Sequence, residues 1–310
     1  MLTALTLIVA GVLLGAWTPD LERAELAQRH GYAAVQTVEV KGSPIQVKAS
    51  GPEDAPAVLM LHGFASSLHT WETWAQGLDA ELRVLRIDLP GFGLTGPAPD
   101  GDYSLAHEVA TLTALIQTLG LRDYALVGHS MGGQLAAHIA AHQPAGLKAL
   151  VLVAPDGLTE GARLGERVYP TPTGAGLITD FLPENWLASA LAQAFHDPQA
   201  MSPDLVRRYH DMLRAPGVRA ALLARAQQRR HRDDAAALRH IAVPTLILWG
   251  AEDQVIPSTQ AARFALAVPD ARVQRLPGVG HLPQEERAAD GLRVVRDFLS
   301  SVLVCPKACP

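Results

Sequence analysis

Residues 126–134 read LVGHSMGGQ and place a serine where it can act as a nucleophile. An apolar run at 124–127 leads into Gly128-His129-Ser130-Met131-Gly132, and 134–142 carries a helical pattern, so Ser130 stands at the apex of a strand, sharp turn and helix. So tight a turn strains the serine backbone and presses its neighbours against strand and helix, which calls for glycine at 128 and 132. The turn lifts the Ser130 hydroxyl clear of the sheet and points the Met131 amide towards whatever the hydroxyl attacks. A serine hydroxyl is a poor nucleophile at neutral pH, so it needs a base, and the base needs an orienting acid. Of the twelve histidines, His281 follows the last strand in a glycine-rich loop, at the same sheet edge as Ser130. His62 and His129 are expected to point elsewhere or to lie at the wrong turn, and His138 and His142 belong to the helix. Asp253 lies just past a strand, in a loop from which a carboxylate reaches Nδ1 of a histidine. The chemistry such a trio performs is acyl transfer to water, with a tetrahedral oxyanion held by backbone amides.

These residues depend on a sheet to align them. Short strands are expected at 35–40 and 44–49, joined by Lys41-Gly42-Ser43 as a hairpin. The run AVLML at 57–61 reads as a strand buried on both faces, ending in His62-Gly63-Phe64, where the chain turns off and leaves the Phe64 amide near the carboxyl edge of the sheet. Further strands are expected at 82–89, 147–153, 244–249 and 272–276, alternating with helices at 68–80, 103–119, 258–267 and 290–304. That alternation predicts a doubly wound, mostly parallel α/β sheet. Between 157 and 243 the rhythm stops, and short amphipathic pieces suggest a helical cap inserted over the sheet. This stretch carries Arg207, Arg208, Arg214, Arg219, Arg225, Arg229, Arg230, Arg232 and Arg239 against few acids. They read first as a solvated helical face, and alternatively as a surface for anionic lipid or an anionic substrate.

From residue 35 onwards the chain resembles a capped α/β-hydrolase of the serine esterase and C–C hydrolase type. The resemblance rests on five motifs in order: His62-Gly63-Phe64, Asp88-Leu89-Pro90-Gly91-Phe92-Gly93, the turn at 128–132, the stretch 250–257 around Asp253, and Gly280-His281. It implies Ser130 as nucleophile, His281 as base, Asp253 as orienting acid, and the amides of Phe64 and Met131 as the oxyanion hole. Asp156 is a rival for the acid, since some members place it after the preceding strand. Asp88 is expected to hold its glycine-rich loop. Dehalogenases and epoxide hydrolases of the superfamily carry aspartate at the turn, so Ser130 argues against both. The resemblance implies no metal or organic cofactor. The expected activity is hydrolysis of a carboxylic ester of a fairly apolar small molecule. Its competitors are C–C hydrolysis of a ring-fission dienone and a non-catalytic ligand-binding protein.

With 310 residues, 48% of them hydrophobic and 18% charged, the chain has ample material for one large domain with an insertion. A net charge of -5 gives no reason to expect a nucleic-acid partner. Residues 1–17 contain no charged side chain and read as a retained membrane anchor or a signal segment. Cleavage would make the protein secreted or periplasmic. A juxtamembrane spacer is expected at 18–34, core at 35–156 and 244–304 around the cap at 157–243, and a tail at 305–310. The only cysteines, Cys305 and Cys309, fall in that tail, so no disulfide framework holds the fold.

Overall fold

The computed structural model describes residues 17–158, 174–228 and 233–304. After a short helix α1 (Arg23–Arg29) come strands β1 (Val35–Val40), β2 (Ser43–Ser50) and β3 (Ala57–Leu61). A 3-10 turn, Leu68–Trp71, opens helix α2 (Glu72–Leu78), followed by β4 (Arg83–Ile87), α3 (Leu105–Thr118), β5 (Tyr124–His129), α4 (Met131–Ala141) and β6 (Leu147–Val153). The inserted stretch contributes α5 (Glu184–Ala192), α6 (Pro203–Leu213), α7 (Val218–Gln228) and α8 (Ala235–Leu238). The alternation resumes with β7 (Thr245–Gly250), α9 (Gln260–Ala267) and β8 (Ala271–Leu276), and closes with α10 (Pro283–Glu286) and α11 (Ala288–Leu299).

The eight strands form one sheet in the order β1-β2-β4-β3-β5-β6-β7-β8. Pairings β1–β2 and β2–β4 are antiparallel and all others parallel. Strands β3, β5 and β7 are buried along their whole length, as their continuous apolar runs require. Alternate residues feed two cores. Leu59, Leu61, Leu126, Leu150 and Ile247 face one way, against Leu112 and Leu115 of α3, Leu135 and Ile139 of α4 and Phe264 of α9. Val58, Met60, Val127, Val151 and Leu248 face the other, against Trp74 of α2 and Val295 and Phe298 of α11. Helices on both faces make this the doubly wound, mostly parallel α/β sheet that the alternation predicts.

Element boundaries move by a few residues from the sequence expectation, most at the ends. The helix after Ser130 starts at once, at Met131, because glycines 132 and 133 carry no side chain to keep it from the sheet. The last helix stops at Leu299 and runs into a π turn, Ser300–Val304.

Residues 18–34, expected as a spacer, pack on the body of the protein. The Thr18 amide donates to the Asp180 carbonyl at 2.7 Å, and the Leu21 amide to that of Arg214 at 2.8 Å. Leu26 is fully buried, and the Tyr32 hydroxyl donates to Asp88 Oδ2 at 2.6 Å. Residues 1–16 and 305–310, with the anchor or signal segment and Cys305 and Cys309, lie outside the described residues. Among the described residues no helix is long and apolar enough to cross a membrane.

The inserted arginines are not one solvated face. Arg219 and Arg225 are buried, and Arg208 is largely so. Each reaches an acid distant in sequence: Arg208 to Glu285, Arg219 to Asp20, Arg225 to Glu108. Arg207 stays exposed, and Arg229, Arg230 and Arg232 lie outside the described residues.

Candidate active site

Ser130 follows β5 and stands at the N-cap of α4 with φ 52 and ψ -118, a left-handed backbone that costs a non-glycine residue about 1–3 kcal/mol. Surrounding packing imposes it. A Cβ on Gly128 would lie 2.3 Å from the Gly132 carbonyl oxygen, and one on Gly132 would lie 2.4 Å from those of Leu61 and His62. The Ser130 amide is tied to the Val153 carbonyl at 2.9 Å, while its carbonyl accepts the amides of Gln134 and Asp156 at 3.1 Å. The turn is thus locked to β6 on one side and α4 on the other. Met131 occupies the first helical position, where the amide has no partner within the helix and the helix dipole favours negative charge. Phe64 follows β3 in a loop whose next residue, Ala65, also has positive φ.

His281 sits beyond β8, with its amide fixed to the Ala194 carbonyl at 2.7 Å. Its Nδ1 is 2.7 Å from Asp253 Oδ2. The same carboxylate oxygen accepts from Trp249 Nε1 at 3.0 Å, and Oδ1 accepts the amides of Val255 and Ile256 at 2.8 and 2.9 Å. Four donors suit an ionised carboxylate. Nδ1 therefore carries the proton, which leaves Nε2 as the proton acceptor. Asp156 lines the same cavity, and its Oδ1 accepts the Gly157 amide; the carboxylate on His281 Nδ1 is that of Asp253.

Ser130, His281, Phe64 and Asp156 face a cavity of about 490 Å³ whose other walls include Leu158, Leu187, Leu191, Tyr209, Ile256 and Leu282. A smaller chamber of about 130 Å³ meets it at Ser130 and Phe64 and is lined by Met131, Tyr103, Glu108 and Arg225. Among the described residues no group of three or more His, Cys, Asp or Glu side chains is placed to hold a metal ion.

His62 and His129 do not compete for the role of base. His62 Nε2 accepts the Leu89 amide and Nδ1 donates to the Gly63 carbonyl, and burial lowers its pKa to about 4. His129 Nε2 donates to the His281 carbonyl at 2.8 Å, and burial followed by the nearby His281 holds its pKa well below the usual value. It braces the loop that carries His281. Asp88 does hold its loop: Oδ1 accepts the Leu68 amide, Oδ2 the Leu94 amide and the Tyr32 hydroxyl. Sequence reasoning missed Trp249, four residues before Asp253 and on the same carboxylate, and missed the Arg225–Glu108 pair beside Ser130. The partners of that pair are 117 residues apart, so no local pattern announces them.

The chain is similar to known proteins over most of its length. The family model described as the alpha/beta hydrolase fold matches residues 56–288. The dihydrolipoyllysine-residue acetyltransferase component of the acetoin cleaving system of Pseudomonas putida is 32% identical over 82% of this chain and 66% of its own length. The monoacylglycerol lipase abhd6-A of Xenopus laevis is 31% identical over 81% of this chain and 77% of its own. The chain thus spans about two thirds to three quarters of the length of these relatives. A solved structure of a candidate lipase from Acinetobacter baumannii AYE superposes with a TM-score of 0.75, at 26% identity, over 91% of this chain and 97% of that one. The matched residues take in β3 to β8 and every side chain gathered at Ser130, and the chain belongs to the α/β-hydrolase family of enzymes.

Proposed function

We propose that the protein is a serine hydrolase that cleaves carboxylic esters of fairly apolar acyl groups through an acyl-enzyme intermediate. Ser130 attacks the carbonyl while His281 Nε2 takes its proton; Asp253 fixes the tautomer and balances the imidazolium. The amides of Phe64 and Met131 hold the oxyanion, and neither makes another hydrogen bond among the described residues. His281 then passes its proton to the leaving alcohol, and a water activated by the same histidine releases the acid. The observation that carries this reading is the Asp253–His281 hydrogen bond at the cavity onto which the strained Ser130 opens.

The inserted helices act as a cap, since Leu187, Ala190, Leu191 and Ala194 wall the cavity above Ser130. That cavity is walled mostly by apolar side chains, which suits a fairly apolar acyl group. Among the similar proteins, a monoacylglycerol lipase and a candidate lipase support the ester reading, whereas a 2-hydroxy-6-oxononadienedioate/2-hydroxy-6-oxononatrienedioate hydrolase stands for the C–C competitor. Membrane retention through the uncharged N-terminal run belongs to this reading. Trp17, at its end, pairs with Phe181 and lies exposed, as do Leu177 and Trp186; the full chain should resist carbonate extraction from membranes. Hydrolysis of p-nitrophenyl esters of graded length tests the substrate class. Specificity (kcat/KM) should rise about fourfold per methylene until the cavity is filled, following roughly 0.8 kcal/mol per buried methylene. Ser130→Ala should lose about 10⁴-fold or more with the fold intact. A flat chain-length profile would remove the apolar-acyl assignment, and near-normal turnover in Ser130→Ala would remove the mechanism.

A further inference from the structure

Arg225 of α7 is only 4% exposed and meets more of the candidate site than any local sequence pattern suggests. Its Nη1 is 2.6 Å from Glu108 Oε2 and 3.5 Å from the sulfur of Met131, and its Nη2 donates to the Pro90 carbonyl at 2.7 Å. Its guanidinium lies over two rings, with Cζ 4.8 Å from the centroid of Phe92 and 4.7 Å from that of Tyr103, inside cation–π range. Phe92 in turn packs edge-on against Phe64 at 5.9 Å and 82°, and against His62 at 5.2 Å and 89°. One buried side chain from the inserted helices therefore touches Met131 directly and reaches Phe64 through a single ring.

We propose that Arg225 is a positioning residue for the oxyanion hole, fixing the two residues whose amides form it and tying their placement to the seating of the cap. The proposal rests on the serine-hydrolase reading above. Hole amides must lie about 2.7–3.1 Å from where the oxyanion develops, and a displacement of about 1 Å can cost on the order of 100-fold in rate. Phe64 is the residue at risk. It stands in a loop with a strained neighbour, Ala65, and its half-exposed ring gains support from Phe92. Net stability does not account for the arrangement, because a buried ion pair such as Arg225–Glu108 is worth little more than a well-packed apolar pair of the same shape. Lysine would keep the charge at 225 but could not reach Glu108, the Pro90 carbonyl and the Met131 sulfur with one planar fork.

The test separates the oxyanion from ground-state binding. For a medium-chain p-nitrophenyl ester, Arg225→Lys should lower kcat about 10–100-fold while KM stays within about threefold. The Ki of an alkyl boronic acid, which becomes tetrahedral on Ser130, should rise by the same factor as kcat/KM falls. The Ki of a straight-chain alcohol of equal length, which has no oxyanion, should not move. Phe92→Leu removes the ring between Arg225 and Phe64 and should give the same split to a smaller degree, so it carries the test if Arg225→Lys loses its fold by circular dichroism. Unchanged kcat with raised KM and raised alcohol Ki would overturn the proposal in favour of a plain cap contact, and no change at all would overturn it outright. If wild-type protein hydrolyses no ester and Ser130 takes up no fluorophosphonate, the hydrolase reading fails first and the proposal falls with it.

Discussion

At the scale of single residues, the decisive contact is the carboxylate on His281. Asp253 and Asp156 both stand within the site, but only Asp253 Oδ2 is 2.7 Å from Nδ1. An asparagine at 253 would offer an amide where the histidine proton must be accepted and would favour the wrong tautomer. Asp253→Asn should therefore cost about 10⁴-fold in kcat, whereas Asp156→Asn should stay within about tenfold, since it leaves that hydrogen bond intact. Steady-state kinetics of the two variants on one ester decide between them, and the reverse ranking would move the acid to Asp156. The turn at Ser130 and the meeting of Asp253 with His281 were legible in the sequence, because each of these residues sits in a local context that has a steric or positional cause. Glycine at 128 is required by the Gly132 carbonyl and glycine at 132 by the carbonyls of Leu61 and His62, and that requirement shows in five consecutive letters.

At the scale of elements, strands buried on both faces were legible from their unbroken apolar runs. Contacts that join segments far apart in sequence were not. Arg208, Arg219 and Arg225 look like solvated charge until Glu285, Asp20 and Glu108 are brought to them by the fold. The same holds for 18–34, whose charged residues hide Leu26 and Tyr32 among them. Both are buried, and Tyr32 completes the set of donors on Asp88. Leu26→Ala should therefore cost about 2–5 kcal/mol, and Tyr32→Phe about 1–3 kcal/mol through the donor lost from a buried carboxylate. Urea titration checks both. A chain beginning at Val35 should be unstable, while one beginning at Trp17 should fold; equal stability of the two would show that 18–34 contributes nothing.

For the molecule as a whole, pH exposes the groups that folding leaves unable to charge. Burial lowers His62 to about 4 and His69 to about 3, and holds His129 well down. Each is neutral when folded but takes up a proton near 6.5 when unfolded. Their contribution is thus fully present above pH 6.5 and is lost as pH falls towards 4. Asp88 works the other way, since burial raises it to about 6, so it favours the folded state as pH falls through 6. Three protons against one leave about two, and stability should decline by about 2–3 kcal/mol per pH unit between pH 6 and 4. A urea midpoint that stays level over that range would contradict the burial of these histidines. The fold presents the Ser130 hydroxyl at the wall of its cavity, so the reactivity of that serine can be read on the intact protein. Intact protein is treated with a fluorophosphonate bearing a medium alkyl chain, digested, and analysed by mass spectrometry. One adduct should form, on Ser130, and far more slowly after His281→Ala; absence of an adduct, or labelling of a different serine at equal rate, would rule out an activated Ser130.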